Sequence, residues 1–456
     1  MHVLRLLSVS LAIAFSFAAT LSPGVSGGGE FPLKDGDIWV MAGDSITAQH
    51  LHSNYFEAFC FARYPKLKFA FRNSGVGGHT IPTTLARFDY DIAAWKPTVV
   101  SVELGMNDKG RFTPEEYIAN MTTMVKQIRG IDARPVMLTA SPVNSGDTMA
   151  SLGQNQRLHD YAVSLKSFSA SEKVPFADQF HLLIDVWGKN KPAESLANAM
   201  PMLRKLSLDP AVAGAEGLKT FVAAQDALPK KPVSMQGDPV HPGAPGQVMM
   251  AAALLKELGA EAFVSRAVVD ASGKIAEAKG CTIENAKGDG KTLTFDRLDE
   301  SVPFPIPADT NVVMALDPTI AALSDYTLAV TGLKAGRHQL AIGGVAVGDP
   351  RTDKEWAAGV NVAALAYGPT ARPAGAAANP IVAQGQAILA AVGAKEGLVG
   401  QWRALSQRAH AKDAPENLKT ELAALMKRVE AEDEKIRGAA KPRTLRFELT
   451  FVPDVQ

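Results

Sequence analysis

The sequence predicts an α/β fold, with a parallel sheet covered by helices on both faces up to about residue 262, then a small antiparallel β module and a C-terminal helical segment. Three observations carry that prediction. From Asp37 to Ala262, short β-branched runs alternate with amphipathic stretches, the pattern of repeated strand and helix units. From 264 to about 370 the texture changes to β-like fragments such as "YTLAVTGL" and "HQLAIGGVAV", separated by Gly, Pro and Asp turns. From about Pro380 to Arg437 helical periodicity takes over.

At the N-terminus, Arg5 precedes the apolar run "LLSVSLAIAFSFAATL" and the small, turn-forming "SPGVSGGG". That is the three-part layout of a secretory signal peptide, assigned to 1–26 with cleavage expected between Ala18 and Gly29. The competing reading is an uncleaved anchor, because the run is only slightly short of a membrane span. Cleavage would leave no stable span and a secreted or periplasmic protein. The catalytic layer follows over 27–262. Its strand candidates are "IWVMA" (38–42), "KFAFRN" (68–73), "TVVSVEL" (98–104), "PVMLTA" (135–140) and "VPFADQF" (174–180). Helices are expected at roughly 47–63, 80–95, 113–130 and 155–170, the third opened by a capping box from Thr113 to Glu116 with Pro114 at its first position. Residues 187–236 break the rhythm and read equally as a substrate-shaping insertion or as a surface excursion. "GQVMMAAALLKELGAEAF" supplies the last helix of this layer. The β module is placed at 263–375 and the helical segment at 376–456, where Gly393, Gly397 and Gly400 are expected to interrupt the helix. The closing "RTLRFELTFVP" alternates as a strand that returns to the β module.

Composition narrows the chemistry. Forty-seven basic residues balance forty-seven acidic ones without a long Lys/Arg run, so the electrostatic footprint of a nucleic-acid binder is missing. A small-molecule or glycan substrate fits better. Cys60 and Cys281 are the two cysteines, and Cys60 sits on an apolar helical face as a buried free thiol. The nine histidines are scattered and no Cys/His cluster has zinc spacing, so no metal is expected.

Four stretches gather polar residues at strand ends or before the last helix. "WVMAGDSITAQH" runs from strand to helix through Gly43, Asp44 and Ser45, and on these letters Ser45 is as readily a helix cap as a nucleophile. "NSGVGGHT", 73–80, is a glycine-rich loop whose backbone N–H groups suit a small oxyanion; it lacks the lysine of a phosphate loop. "ELGMNDKG", 103–110, puts the Asn107 amide just past the third strand, with Asp108 in a local structural part. "GDPVHPGAPG", 237–246, sets Asp238 three residues before His241, a spacing that lets a carboxylate orient an imidazole.

Taken together and in this order, GDSIT, "NSGVGG", "GMND" and "DPVHP" resemble the ordered blocks of the SGNH hydrolases, also called the GDSL esterase and lipase family, over roughly 37–262. Ile46 stands where the family name has Leu. The resemblance implies a flavodoxin-like three-layer α/β/α sandwich and a serine esterase needing no cofactor. Ser45 matches the nucleophile, and Asp238 and His241 match the other triad members. The oxyanion donors would be the Ser45 and Gly78 N–H groups and the Asn107 amide, with Gly75 or Gly77 replacing Gly78 if the alignment slips. The family spans carbohydrate deacetylases, lysophospholipases, thioesterases and arylesterases. Export and an appended β module favour removal of acetyl groups from extracellular carbohydrate. The alternatives are a lipolytic esterase or thioesterase, and a non-catalytic glycan-binding protein on a hydrolase fold.

Overall fold

The computed structural model of the chain describes residues 30–144, 153–190, 194–227, 233–368 and 378–453. The signal segment read over 1–26 lies outside the described residues. Five strands, β1 (Asp37–Gly43), β2 (Phe69–Gly75), β3 (Val99–Glu103), β4 (Arg134–Leu138) and β5 (Phe176–Ala177), form one sheet in the order β2-β1-β3-β4-β5. All neighbours in it are parallel. Strand side chains alternate between faces, so β1 feeds two cores. Trp39 and Met41 pack with Phe56, Phe59 and Leu254 on one side. Val40 and Ala42 pack with Val100, Tyr117 and Met121 on the other. A strand buried on both faces reads as a continuous apolar run, which "IWVMA" is. The helices His52–Arg63 and Ala244–Glu257 cover the first face, and Pro114–Gly130 covers the second. The result is a three-layer α/β/α sandwich.

Register decides where chemistry is placed. Gly43 lies opposite both Gly75 and Glu103, so β1, β2 and β3 end level with one another. The loops that follow them leave the sheet at one edge, the carboxyl edge at which α/β sheets bind ligands.

Several elements depart from their sequence expectations. The helix expected at 47–63 is two, Ser45–Ala48 and His52–Arg63, separated by a turn in which His50 takes a left-handed φ of 55°. The one expected at 80–95 is a series of short pieces, Ile81–Leu85, Phe88–Asp91 and Ala93–Trp95. The first break falls at Arg87, which leaves helical geometry (φ −109°, ψ 7°) and buries its side chain. Within the 187–236 segment, whose helical signals are weak, helices Glu194–Ser207 and Ala215–Ala227 form a hairpin. Its base is closed by Asn190, whose side chain donates to the Val233 carbonyl at 2.8 Å and accepts from the Val233 N–H at 2.9 Å.

The C-terminal half holds two sheets. β6 (Phe263–Asp270), β7 (Ile275–Lys279), β10 (Asp325–Thr331) and β13 (Val360–Asn361) run in the order β13-β10-β6-β7, and β6 with β10 is a parallel pair, so this sheet is mixed rather than antiparallel. The second sheet, β12-β11-β14-β9-β8, is antiparallel and combines β8 (Cys281–Gly288), β9 (Thr292–Asp299), β11 (Arg337–Ile342), β12 (Val345–Thr352) and β14 (Leu445–Val452). The closing strand β14 sits in its centre, with Phe447 and Leu449 buried and Glu448 exposed. The Pro380–Ala409 helix runs unbroken through Gly393, Gly397 and Gly400. Each glycine costs a helix about 1 kcal/mol, but a buried stripe including Ile388, Val392, Val399 and Trp402 offsets that here. This helix and Asn417–Ala440 form a second hairpin, docked on the catalytic layer by charges as well as by apolar contacts. Buried Lys395 pairs with Glu57 and donates to the Phe71 carbonyl at 2.9 Å. Asp433 accepts from both terminal nitrogens of Arg72, at 3.0 and 2.7 Å. Cys60 and Cys281 are both free thiols, Cys60 fully buried. Among the described residues no helix is long and apolar enough to cross a membrane.

Candidate active site

The turn after β1 answers whether Ser45 is a cap. Asp44 is the N-cap of the Ser45–Ala48 helix, its Oδ1 accepting the Ile46 N–H at 3.0 Å. Capping is therefore done by Asp44, and the Ser45 side chain is left free to point elsewhere. Gly43 makes the turn possible, since a Cβ there would lie 2.0 Å from Thr47 Oγ1.

Ser45 Oγ lies 2.7 Å from His241 Nε2. The Nδ1 of the same ring lies 3.0 Å from Asp238 Oδ2 and 3.2 Å from Oδ1. The Asp238–His241 turn is stiffened by its own backbone: Asp238 Oδ1 accepts the N–H groups of Val240 and His241, both at 2.8 Å. Gly237 is needed there, with φ 66° and no room for a Cβ, which would fall 2.1 Å from the His241 carbonyl oxygen. The His241 N–H and ring hold the Asp238 carboxyl below the usual carboxylate range. It thus stays charged beside the imidazole at neutral pH.

A second set of groups ties the loops to each other. Asn107 Nδ2 donates to the His79 carbonyl at 3.1 Å and, more weakly, to Asp44 Oδ2 at 3.3 Å. The amide thereby bridges the serine turn and the glycine loop. Within that loop the Gly75 N–H is taken by Asn73 Oδ1 at 2.8 Å, whereas Gly77 and Gly78 have no intramolecular acceptor among the described residues. Gly77 is the one that abuts the serine, its absent Cβ lying 3.9 Å from Ser45 Cβ, while Gly78 provides the left-handed turn at φ 75°. Asp108 accepts the Ile81 N–H at 3.0 Å and so anchors the far end of the loop.

Sequence reasoning missed the supports beneath these groups. Gln247 donates to the Pro242 carbonyl at 2.9 Å, next to His241, and to Gln49 Oε1 at 2.7 Å. Its Oε1 accepts from His52 Nδ1 at 2.9 Å, and His52 Nε2 donates to Glu103 Oε2 at 2.8 Å. With both nitrogens donating, His52 is an imidazolium: burial, the largest influence, opposes its charge, and Glu103, Gln247 and Asp44 together raise its pKa. Nothing in "GQVMM" announces this role, because His52 and Gln49 lie nearly two hundred residues away. Asp44 was legible only as a cap. Its burial pushes the carboxyl from 3.8 up to about 7 against the opposing Ile46 N–H.

That shift yields a test of its own. A folded-state pKa above the unfolded one means that the folded protein keeps the proton between roughly pH 4 and 7, so stability from this group is present at low pH and lost as pH rises through about 7. Asp44→Asn removes the titration. Thermal unfolding of both proteins at pH 5 and 8 is expected to show the variant gaining on the wild type at pH 8, on the order of 2 kcal/mol; parallel curves would refute the shift.

Among the described residues no group of three or more His, Cys, Asp or Glu is arranged to hold a metal ion. Comparison with known proteins accords with this geometry. Residues 41–198 match the model of the GDSL-like Lipase/Acylhydrolase family. An acetylxylan esterase from Geobacillus stearothermophilus is 24% identical over 216 residues, 45% of this chain and 79% of that protein. Among solved structures, a gut microbial diltiazem-metabolizing enzyme superposes with a TM-score of 0.67 at 21% identity, over 92% of this chain and 99% of that one. That likeness shows that the whole architecture, β sheets and helical hairpin included, is a shared fold. Residues 41–198 thus resemble the GDSL-like Lipase/Acylhydrolase family, and the chain is a carboxylic ester hydrolase.

Proposed function

We propose that the protein is a serine esterase that removes acetyl groups from carbohydrate outside the cytoplasm. The observation that carries the serine mechanism is the unbroken chain from Ser45 Oγ through His241 to Asp238, at 2.7 and 3.0 Å. A serine hydroxyl alone is a weak nucleophile at neutral pH, so His241 takes its proton as Oγ attacks the ester carbonyl. Asp238 holds the ring with Nε2 facing Ser45 and stabilises the imidazolium. Negative charge moves onto the carbonyl oxygen, which the Ser45 N–H, a glycine-loop N–H from Gly77 or Gly78, and Asn107 Nδ2 receive. The long Asn107 contact to Asp44, at 3.3 Å, is the one exchanged for the oxyanion. His241 then protonates the leaving alcohol, and water activated by the same ring releases the acid. No cofactor enters these steps.

The carbohydrate substrate is supported by the relative called an acetylxylan esterase and by the openness of the site, where the His241 and Asp238 side chains are 34% and 59% exposed. A shallow site suits acetyl groups on a polymer. One observation favours a second reading: the helical hairpin over 194–227 exposes Met202, Leu208 and Phe221, apolar surface suited to longer acyl chains. The two readings part on substrate profile. Acetate release from acetylated xylan, pectin or chitin oligosaccharide is expected to exceed hydrolysis of long-chain p-nitrophenyl esters, with Ser45→Ala as blank. Activity rising with acyl length would transfer the protein to the lipolytic branch, and silence on every ester would leave glycan binding on an idle hydrolase fold.

A further inference from the structure

We propose that Arg403, on the C-terminal helix Pro380–Ala409, is a positioning residue for the oxyanion loop, holding the loop's first peptide and, through Asp91 and Arg87, the turn that bears Ser45. The inference rests on the serine-esterase reading above. It assigns the helical hairpin a part in catalysis, although Arg403 lies far beyond the 41–198 region that matches the family.

The contacts form one continuous path. Arg403 Nη1 donates to the Gly75 carbonyl at 3.1 Å. Across the same peptide, the Val76 N–H donates to the Gly43 carbonyl at 3.1 Å. The plane that launches the glycine loop is thus gripped at both ends, by Arg403 and by the last residue before Asp44 and Ser45. Arg403 also clasps Asp91 with two bonds, Nε to Oδ1 at 2.6 Å and Nη2 to Oδ2 at 2.8 Å. Asp91 pairs in turn with the buried guanidinium of Arg87. Arg87 Nε donates to His79 Nδ1 at 3.2 Å, and its Nη2 reaches toward the Gly43 carbonyl at 3.5 Å. His79 closes the loop, since its carbonyl receives the Asn107 amide. Accepting from Arg87 requires a neutral His79, and burial together with the Arg87 and Arg403 cations holds its pKa below the ordinary value. The free N–H groups of Gly77 and Gly78 lie between the two held points, Gly75 and His79.

A donor that stabilises an oxyanion must be in place before charge develops, because reorganisation during the reaction forfeits the benefit. Loss of Arg403 therefore acts on the transition state more than on ground-state binding. The same hairpin supplies a control at the other end of β2: Arg437 donates to the Leu67 and Phe69 carbonyls, at 3.0 and 3.2 Å, where the strand begins. Arg437 also docks the hairpin but, in these bonds at the start of β2, touches no loop of the site.

The test compares kcat and KM for p-nitrophenyl acetate in the full-length wild type, Arg403→Gln, Arg403→Lys and Arg437→Gln, each normalised to sites titrated by a fluorophosphonate. Arg403→Gln is expected to lose about 10- to 100-fold in kcat with KM within about threefold, and to bind a boronate transition-state analogue correspondingly less well. Arg403→Lys keeps charge and stem but cannot hold Asp91 by two bonds and Gly75 together, so its kcat falls at least about fivefold; Arg437→Gln keeps wild-type kcat. Wild-type kcat in a folded Arg403→Gln overturns the proposal. Should that variant not fold, wild-type kcat in Arg403→Lys does so, and an equal kcat loss in Arg437→Gln reduces Arg403 to a docking contact. A wild type that neither turns over nor is labelled at Ser45 would instead remove the esterase mechanism on which the proposal stands.

Discussion

Ser45→Ala is expected to lose at least about 10⁴-fold in kcat, since removing the nucleophile of a serine hydrolase leaves only the rate due to binding and the oxyanion donors. The fold should be indifferent. Among the described residues the Ser45 side chain bonds to His241 alone, and the helix it opens is capped by Asp44. Thermal unfolding of the variant should match that of the wild type, while labelling by a fluorophosphonate disappears. Substantial retained turnover, with the substitution verified by mass, would sink the assignment of the nucleophile and send attention to another hydroxyl.

Asn107→Ala is expected to lower kcat by about 100- to 1000-fold, the usual effect of removing one oxyanion donor, with little change in KM. The substitution also strands the His79 carbonyl and the Asp44 carboxyl, which now share the amide. A stability loss of about 1–3 kcal/mol is expected from those unmet groups. Separate measurement of kcat, KM and unfolding distinguishes the two effects. A change confined to KM would show that Asn107 binds substrate equally in ground and transition states, and would take it out of the oxyanion hole.

The parts of this protein that were readable in advance are those encoded over short spans. Alternating strands and helices, the Thr113 capping box and the alternation in β14 each announce themselves within ten or twenty residues, and each is present. The four polar stretches were likewise legible as glycine, proline and carboxylate patterns, and the residues named in them lie along one sheet edge. Elements decided by packing were read less well. The Pro380–Ala409 helix continues through three glycines because its other face is buried, which a propensity scale does not register. The segment at 80–95 is broken at Arg87, whose buried side chain meets Asp91 and reaches toward the Gly43 carbonyl, and Asp91 in turn is held by Arg403, partners that no local pattern states.

Ser45, His241 and Asp238 were singled out by the order of the four stretches taken together, and the structure supplies the turns that place them: Gly43 where a Cβ would strike Thr47, Gly237 where one would strike the His241 carbonyl, and an acid three residues before an imidazole. Their supports did not. Gln247 on His52, His52 on Glu103, and Arg403 on Asp91 and Gly75 join residues 51 to 328 positions apart. Turn geometry is set by neighbours in the chain and leaves its mark in a few letters. A long-range polar contact exists only once strand register and helix docking have brought its partners together, and a buried Gln, His or Arg reads the same in sequence whether it braces a catalytic loop or simply satisfies the core.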